Sequence, residues 1–156
     1  MRESLEQKNR QYESSMEDLE KAQNTLSLQQ KSLLKLMNEL PVHIFLKDSE
    51  GRFVLVNSAV SNKYNLTPEE VLGKSDFDFY DFEAAKAYRD EELAVIQKGY
   101  EVIYHEEVID GQPVKLKTLK KVFYIDFLRE YGLLGIQQNL TAAKAELEHP
   151  SIKAEV

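Results

Sequence analysis

Three carboxylates stand close together in Asp76-Phe77-Asp78-Phe79-Tyr80-Asp81-Phe82, a spacing at which a loop could gather them around a hard cation. For that, the interleaved Phe77, Phe79, Tyr80 and Phe82 would have to turn outward. The favoured reading is therefore an irregular structural turn, too charged for a core strand, whose aromatics point inward. His43 and His105 lie in apolar runs that read as strands, where a histidine is more often a hydrogen-bonded strand residue than a metal ligand. The absence of cysteine excludes disulfides, thiolate zinc sites and cysteinyl adducts. No nucleophile is paired with a base and an orienting partner, so no catalytic residue is assigned and an enzyme has no support. The one basic cluster, Lys115, Lys117, Lys120 and Lys121, alternates with apolar residues and reads as a solvated strand face. With a net charge of −7, nucleic acid is not expected as a partner, because phosphate binding needs a basic face.

These residues must be positioned by a modest number of elements. A chain of 156 residues, 42% hydrophobic, holds one ordinary domain plus an appendage. The appendage comes first. Leu5, Tyr12, Leu19, Leu26, Leu33 and Leu40 recur at heptad spacing, with no Gly or Pro before Pro41, and Asn9, Met16, Gln23, Gln30 and Met37 fill the alternate seam positions. A helix from Glu3 to Asn38 would be about 54 Å long, longer than a domain of this size can cover. The seam predicts a parallel homodimer with Leu5, Tyr12, Met16, Leu19, Leu26, Leu33 and Met37 in the interface. The alternative is a single helix folded back on its own domain.

Pro41 ends that helix. His43–Lys47 and Phe53–Val56 flank Asp48-Ser49-Glu50-Gly51 and predict a β-hairpin, apolar enough to be covered on both faces. Ser58–Tyr64 reads as a short helix after Asn57, and Thr67-Pro68-Glu69-Glu70 opens another through a capping box. A longer helix spans Glu83 to Lys98, with Ala84, Ala87, Tyr88, Leu93, Ala94 and Ile96 as its apolar side and Gly99 as its cap. Strands follow at Tyr100–Ile109, Val114–Ile125 and Tyr131–Asn139, the first two joined by Asp110-Gly111. The expected fold is α+β, a five-stranded antiparallel sheet with short helices on one face. The expected divisions are 1–39 for the coiled-coil helix, 40–141 for the domain, and 142–156 for a helix (Ala142–Glu148) and tail. No run of about 18 apolar residues predicts a membrane span, and the favoured compartment is the cytoplasm.

The motifs KDSEGRFVLVN, TPEEVLGKSDFDFYD, HEEVIDGQPVKLKT and YGLLGIQQNLT, in that order, resemble the hairpin, helical segment, central hairpin and last strand of a PAS domain over residues 38 to 142. The chain departs from the family at Asn139, where an Asp is usual. The resemblance implies a sensor and dimerisation module of signalling proteins, including two-component systems, with coiled-coil helices carrying the signal. Flavin photochemistry in the family uses a cysteine in an NCRFLQ motif; the corresponding run here is Ser75-Asp76-Phe77-Asp78. Gln137 matches a glutamine that faces the flavin in those members, and alone it does not make a flavin site. Haem-binding members place an axial histidine on or near the long helix, which here has none. His149 lacks the acidic neighbour of a kinase phospho-acceptor. The family's geometry, combined with strand alternation, turns Phe45, Val54 and Val56 towards the helices, with Phe79, Tyr88 and Gln137 across a ligand pocket. The lysines of the Val114–Ile125 strand are expected to point away, leaving a pocket for a small, mainly apolar or weakly polar metabolite and no haem, flavin or metal. A ligand-free module serving only dimerisation and relay is the alternative, with the effector domain or partner outside this chain in either case.

Overall fold

A computed structural model describes residues 2–141 of the chain. The helix expected over Ala142–Glu148, the rest of the 142–156 segment and His149 lie outside the described residues. Two units are present, one comprising the chain up to Met37 and the other beginning at Asn38.

The first unit is a single uninterrupted helix, α1, which spans Arg2–Glu39 as assigned along the backbone. Its heptad residues are exposed: Leu5, Tyr12, Leu19, Leu26 and Leu33 are between 52% and 67% accessible. Met16 is exposed as well, and Met37 is half-buried. An isolated helix gains little from propensity alone.

The second unit runs β1 (Val42–Lys47), β2 (Phe53–Val56), α2 (Ser58–Lys63), α3 (Pro68–Val71), α4 (Asp76–Phe79), α5 (Phe82–Lys98), β3 (Tyr100–Ile109), β4 (Gln112–Ile125) and β5 (Glu130–Asn139). The strands form one antiparallel sheet in the order β2-β1-β5-β4-β3. First and last strands thus lie side by side at its centre. The fold is the α+β arrangement expected, with the helices between β2 and β3 in the chain.

Local chemistry explains the joints. In the first hairpin Asp48 Oδ1 accepts from the backbone N–H groups of Glu50 and Arg52 at 3.0 and 2.9 Å, and Gly51 supplies the positive φ of 81°. Asn57 caps α2 by accepting from the Val60 N–H, while its Nδ2 donates to the Val42 carbonyl at 2.7 Å. Its burial is complete, and one side chain therefore ties helix start to strand start. Thr67 and Glu70 form the capping box of α3, and Asp81 caps α5. Phe53, Val56, Val60 and Val71 form the buried cluster between β2 and the short helices, with Phe45, Tyr64, Leu66 and Phe79 packed against it. Each such buried side chain contributes about 1.5–3 kcal/mol relative to exposure.

Three expectations are corrected. The segment Asp76–Phe79 is a helical turn rather than an irregular one, so Asp76, Phe79 and Tyr80 share a side while Phe77 is exposed. Along α5 the buried residues are Ala85, Glu92 and Val95; Leu93 and Ala94 are exposed, because a charged residue takes a place on the inner stripe. Between β1 and β2 the register slips, with Leu46 opposite Leu55 but Lys47 opposite Phe53. Val54 falls in that irregularity without a partner on β1, and Phe53 takes the inward place expected of it.

Candidate functional site

The inner face of the sheet and the helices enclose a cavity of about 390 Å³, within the range of small-molecule sites. Strand alternation determines its sheet wall. With Phe45 inward, His43 and Lys47 on β1 must also face inward, and all three line the cavity. Across β5 and β4 the registers place Gln137 beside His43 and Thr118 beside Gln137, and Gln137 Nε2 donates to Thr118 Oγ1 at 3.2 Å. Lys120 lies one inward position further along β4, and Ile103, His105 and Glu107 continue the wall on β3. The opposite wall is helical: Val60, Lys63 and Tyr64 from and after α2, Asp76 and Tyr80 from and after α4, and Tyr88, Glu91 and Glu92 from α5.

Gly135 permits this arrangement. It pairs with Phe45 and Lys120 in the sheet, and the Phe45 ring lies so close over it that an added Cβ would fall 2.1 Å from Phe45 Cζ. Phe45 in turn meets Phe53 edge-on, with ring centroids 6.0 Å apart.

The buried end of the cavity is ionic. Lys47 Nζ lies 2.7 Å from Asp76 Oδ2 and 2.6 Å from Glu92 Oε1, and the ammonium also stands over the Phe45 and Phe53 rings at 5.2 and 4.8 Å. The second Glu92 oxygen has no hydrogen-bond partner and lies 4.0 Å from Arg89 Nη1. Arg89 also donates to the carbonyl of Ser49 in the first hairpin. Two cations and two carboxylates thereby form a balanced network joining β1, α4, α5 and the hairpin turn. Two titrations are displaced nearby. Burial, reinforced by the positive charge of Lys63, lowers the pKa of His43 below its ordinary value, which favours the neutral imidazole at pH 7. Burial first, and then the hydrogen bond with Tyr80, holds the Tyr64 phenol well above the usual range.

Of the six residues expected in the pocket, Phe45, Tyr88 and Gln137 line the cavity. Val56 and Phe79 belong to the adjacent aromatic-aliphatic core, Phe79 stacking on Tyr64 at 4.0 Å. Val54 lines nothing in the cavity, for the register reason given above. The expectation that the β4 lysines all point away fails for Lys120, which has the same parity as Thr118 and shares its face. Lys47, Asp76 and Glu92 went unassigned, although the inward reading of Phe45 already carried Lys47 with it.

The acidic run resolves into three separate duties: Asp76 on Lys47, Asp78 on the Ser75 N–H and Asp81 on the Ala84 N–H. Among the described residues no group of three His, Cys, Asp or Glu side chains is placed to hold a metal ion, and no helix is long and apolar enough to cross a membrane.

Comparison with known proteins agrees with this architecture. The chain is 25% identical over 132 residues to the methanogenesis regulatory histidine kinase FilI of Methanothrix harundinacea, covering 83% of this chain and 15% of that protein. It is 26% identical over 131 residues to a diguanylate cyclase of Vibrio cholerae, covering 81% of this chain and 41% of that one. The chain thus spans less than half the length of either relative. In fold it resembles the PAS domain of Bordetella pertussis BvgS, with a TM-score of 0.56 at 18% identity, covering 81% of this chain and 96% of that domain. The PAS domain model matches residues 41–142, and with the five-stranded sheet, the interposed helices and the cavity between them, this chain belongs to the PAS domain family.

Proposed function

We propose that the chain is the sensory module of a signal-transduction protein, taking up a small molecule between sheet and helices and forming a parallel homodimer through α1. The single observation carrying the ligand reading is the cavity itself. Phe53, Tyr64 and Phe79 pack together beside it rather than filling it, and about 390 Å³ stays open. The dimer reading rests on the exposed heptad seam, since a monomer leaves those apolar side chains in water. No reaction is assigned to the module. It is proposed to work in the cytoplasm without haem, flavin or metal, and to pass its signal to an effector domain or partner protein outside this chain. Kinase and cyclase relatives support that role.

A ligand-free relay module is the second reading, favoured by one observation: Lys47, Asp76, Glu92 and Arg89 balance one another without a ligand. Denaturing freshly purified protein and analysing the released small molecules by mass spectrometry separates the two. A stoichiometric compound supports ligand binding, and its absence from protein of several expression hosts favours the relay.

A further inference from the structure

We propose that the cavity's ligand carries a carboxylate or an equivalent single anionic group, received by Lys120 on the sheet wall; this rests on the ligand-binding reading above. The proposal rests on the distribution of charge around the cavity. Of the carboxylates on its wall, Asp76 and Glu92 are held by Lys47, Glu107 is hydrogen-bonded to His105 at 3.2 Å, and Glu107 and Glu91 both stand exposed to water. Lys120 is half-buried and lines the cavity; Glu101 is its cross-strand partner on β3, yet among the described residues Lys120 takes part in no ion pair. Lys63, the other lysine lining the cavity without a carboxylate partner among the described residues, stands over the faces of Tyr64 and Tyr80 at 5.8 and 5.9 Å.

The groups around Lys120 are suited to an acceptor. Gln137 donates to Thr118, which leaves the Thr118 hydroxyl hydrogen free to point into the cavity beside the ammonium. His43, neutral at pH 7, offers one ring N–H at the end of the same row, Thr118–Gln137–His43. A half-buried ammonium with the Thr118 hydroxyl one inward position away on β4 offsets the desolvation of one negative charge, and a multiply charged anion would meet too few cations. Phe45 lies in the same cross-sheet row as Lys120, separated from it only by the side-chain-free Gly135, and so provides an apolar surface next to the charge. The ligand that fits has a compact apolar body with a monoanionic end.

The test uses benzoate as probe, with benzamide and benzylamine as neutral and cationic matches of the same size, added to the full chain after removal of any bound molecule. Saturable thermal stabilisation is followed for each. Benzoate is expected to bind about tenfold or more tightly than benzamide, that advantage is lost in Lys120→Met, and Lys120→Arg retains part of it. Lys120 makes no ion pair among the described residues, so Lys120→Met is expected to unfold cooperatively at close to the wild-type midpoint; circular dichroism checks this. Preference for benzylamine or benzamide, failure of all three to bind, or an undiminished benzoate preference in Lys120→Met overturns the assignment. A neutral or cationic compound released from the purified protein would overturn the anionic class while leaving ligand binding itself intact.

Discussion

Lys47 holds together the residues on which the site depends. Its ammonium is buried between Asp76 and Glu92, and breaking a buried pair from one side leaves uncompensated charge behind. Lys47→Met should therefore cost about 3–5 kcal/mol in urea unfolding, and the triple variant Lys47→Met, Asp76→Asn, Glu92→Gln should recover part of that loss. If Lys47→Met unfolds like wild type, the network contributes nothing. Gly135 makes a second test. With Phe45 Cζ 2.1 Å from the position of an added Cβ, Gly135→Ala should push the ring aside and destabilise the fold by about 1–3 kcal/mol, measurable in the same titration. At this scale the sequence was legible where alternation and residue type agreed, as for Phe45, Tyr88 and Gln137. It misled where they conflicted. Lys47, Glu92 and Asp76 are residues that ordinarily face water, and their burial becomes reasonable only when three separate elements bring them together.

At the scale of elements, the turn and cap chemistry was readable from local residue types: the Asp-Gly hairpin turn, the Thr67 capping box and the Gly99 cap all form. The departures have separate causes. The irregularity opposite Lys47 moves Val54 out of its inward place and Phe53 into it, whereas α4 forms behind a local cap in which Asp78 accepts from the Ser75 N–H, a signal the residue types already carried. The first hairpin carries a pH dependence of known sign. Burial opposes ionisation of Asp48, but hydrogen bonds from Arg52 and Glu50 and the Arg52 charge outweigh it and hold the carboxyl below its usual range. The folded pKa is thus below the unfolded one, so the stabilisation is fully present above the unfolded value of about 3.9 and is lost as pH falls through the folded value. Amide hydrogen exchange at Glu50 and Arg52, whose N–H groups the carboxylate accepts, should accelerate, relative to the intrinsic rate, on acidification below pH 4. Asp48→Asn should remove that acid-dependent component. An Asp48→Asn profile that keeps it would point to another carboxylate.

At the scale of the whole molecule, one unit leaves a cavity open and the other leaves the apolar seam of a helix exposed. Deleting residues 1–30 should lower the molar mass in light scattering from that of a dimer towards that of a monomer, whereas an intact chain that is monomeric at high micromolar concentration contradicts the seam reading. Native mass spectrometry of the full chain beside the cavity-filling variant Ile103→Trp tests whether the cavity receives a small molecule. Expected are a dimer of wild-type chains carrying added small-molecule mass, up to one per chain, and a dimer of Ile103→Trp chains carrying none. Wild-type protein at its bare mass, or the same added mass on both proteins, would contradict ligand binding in the cavity.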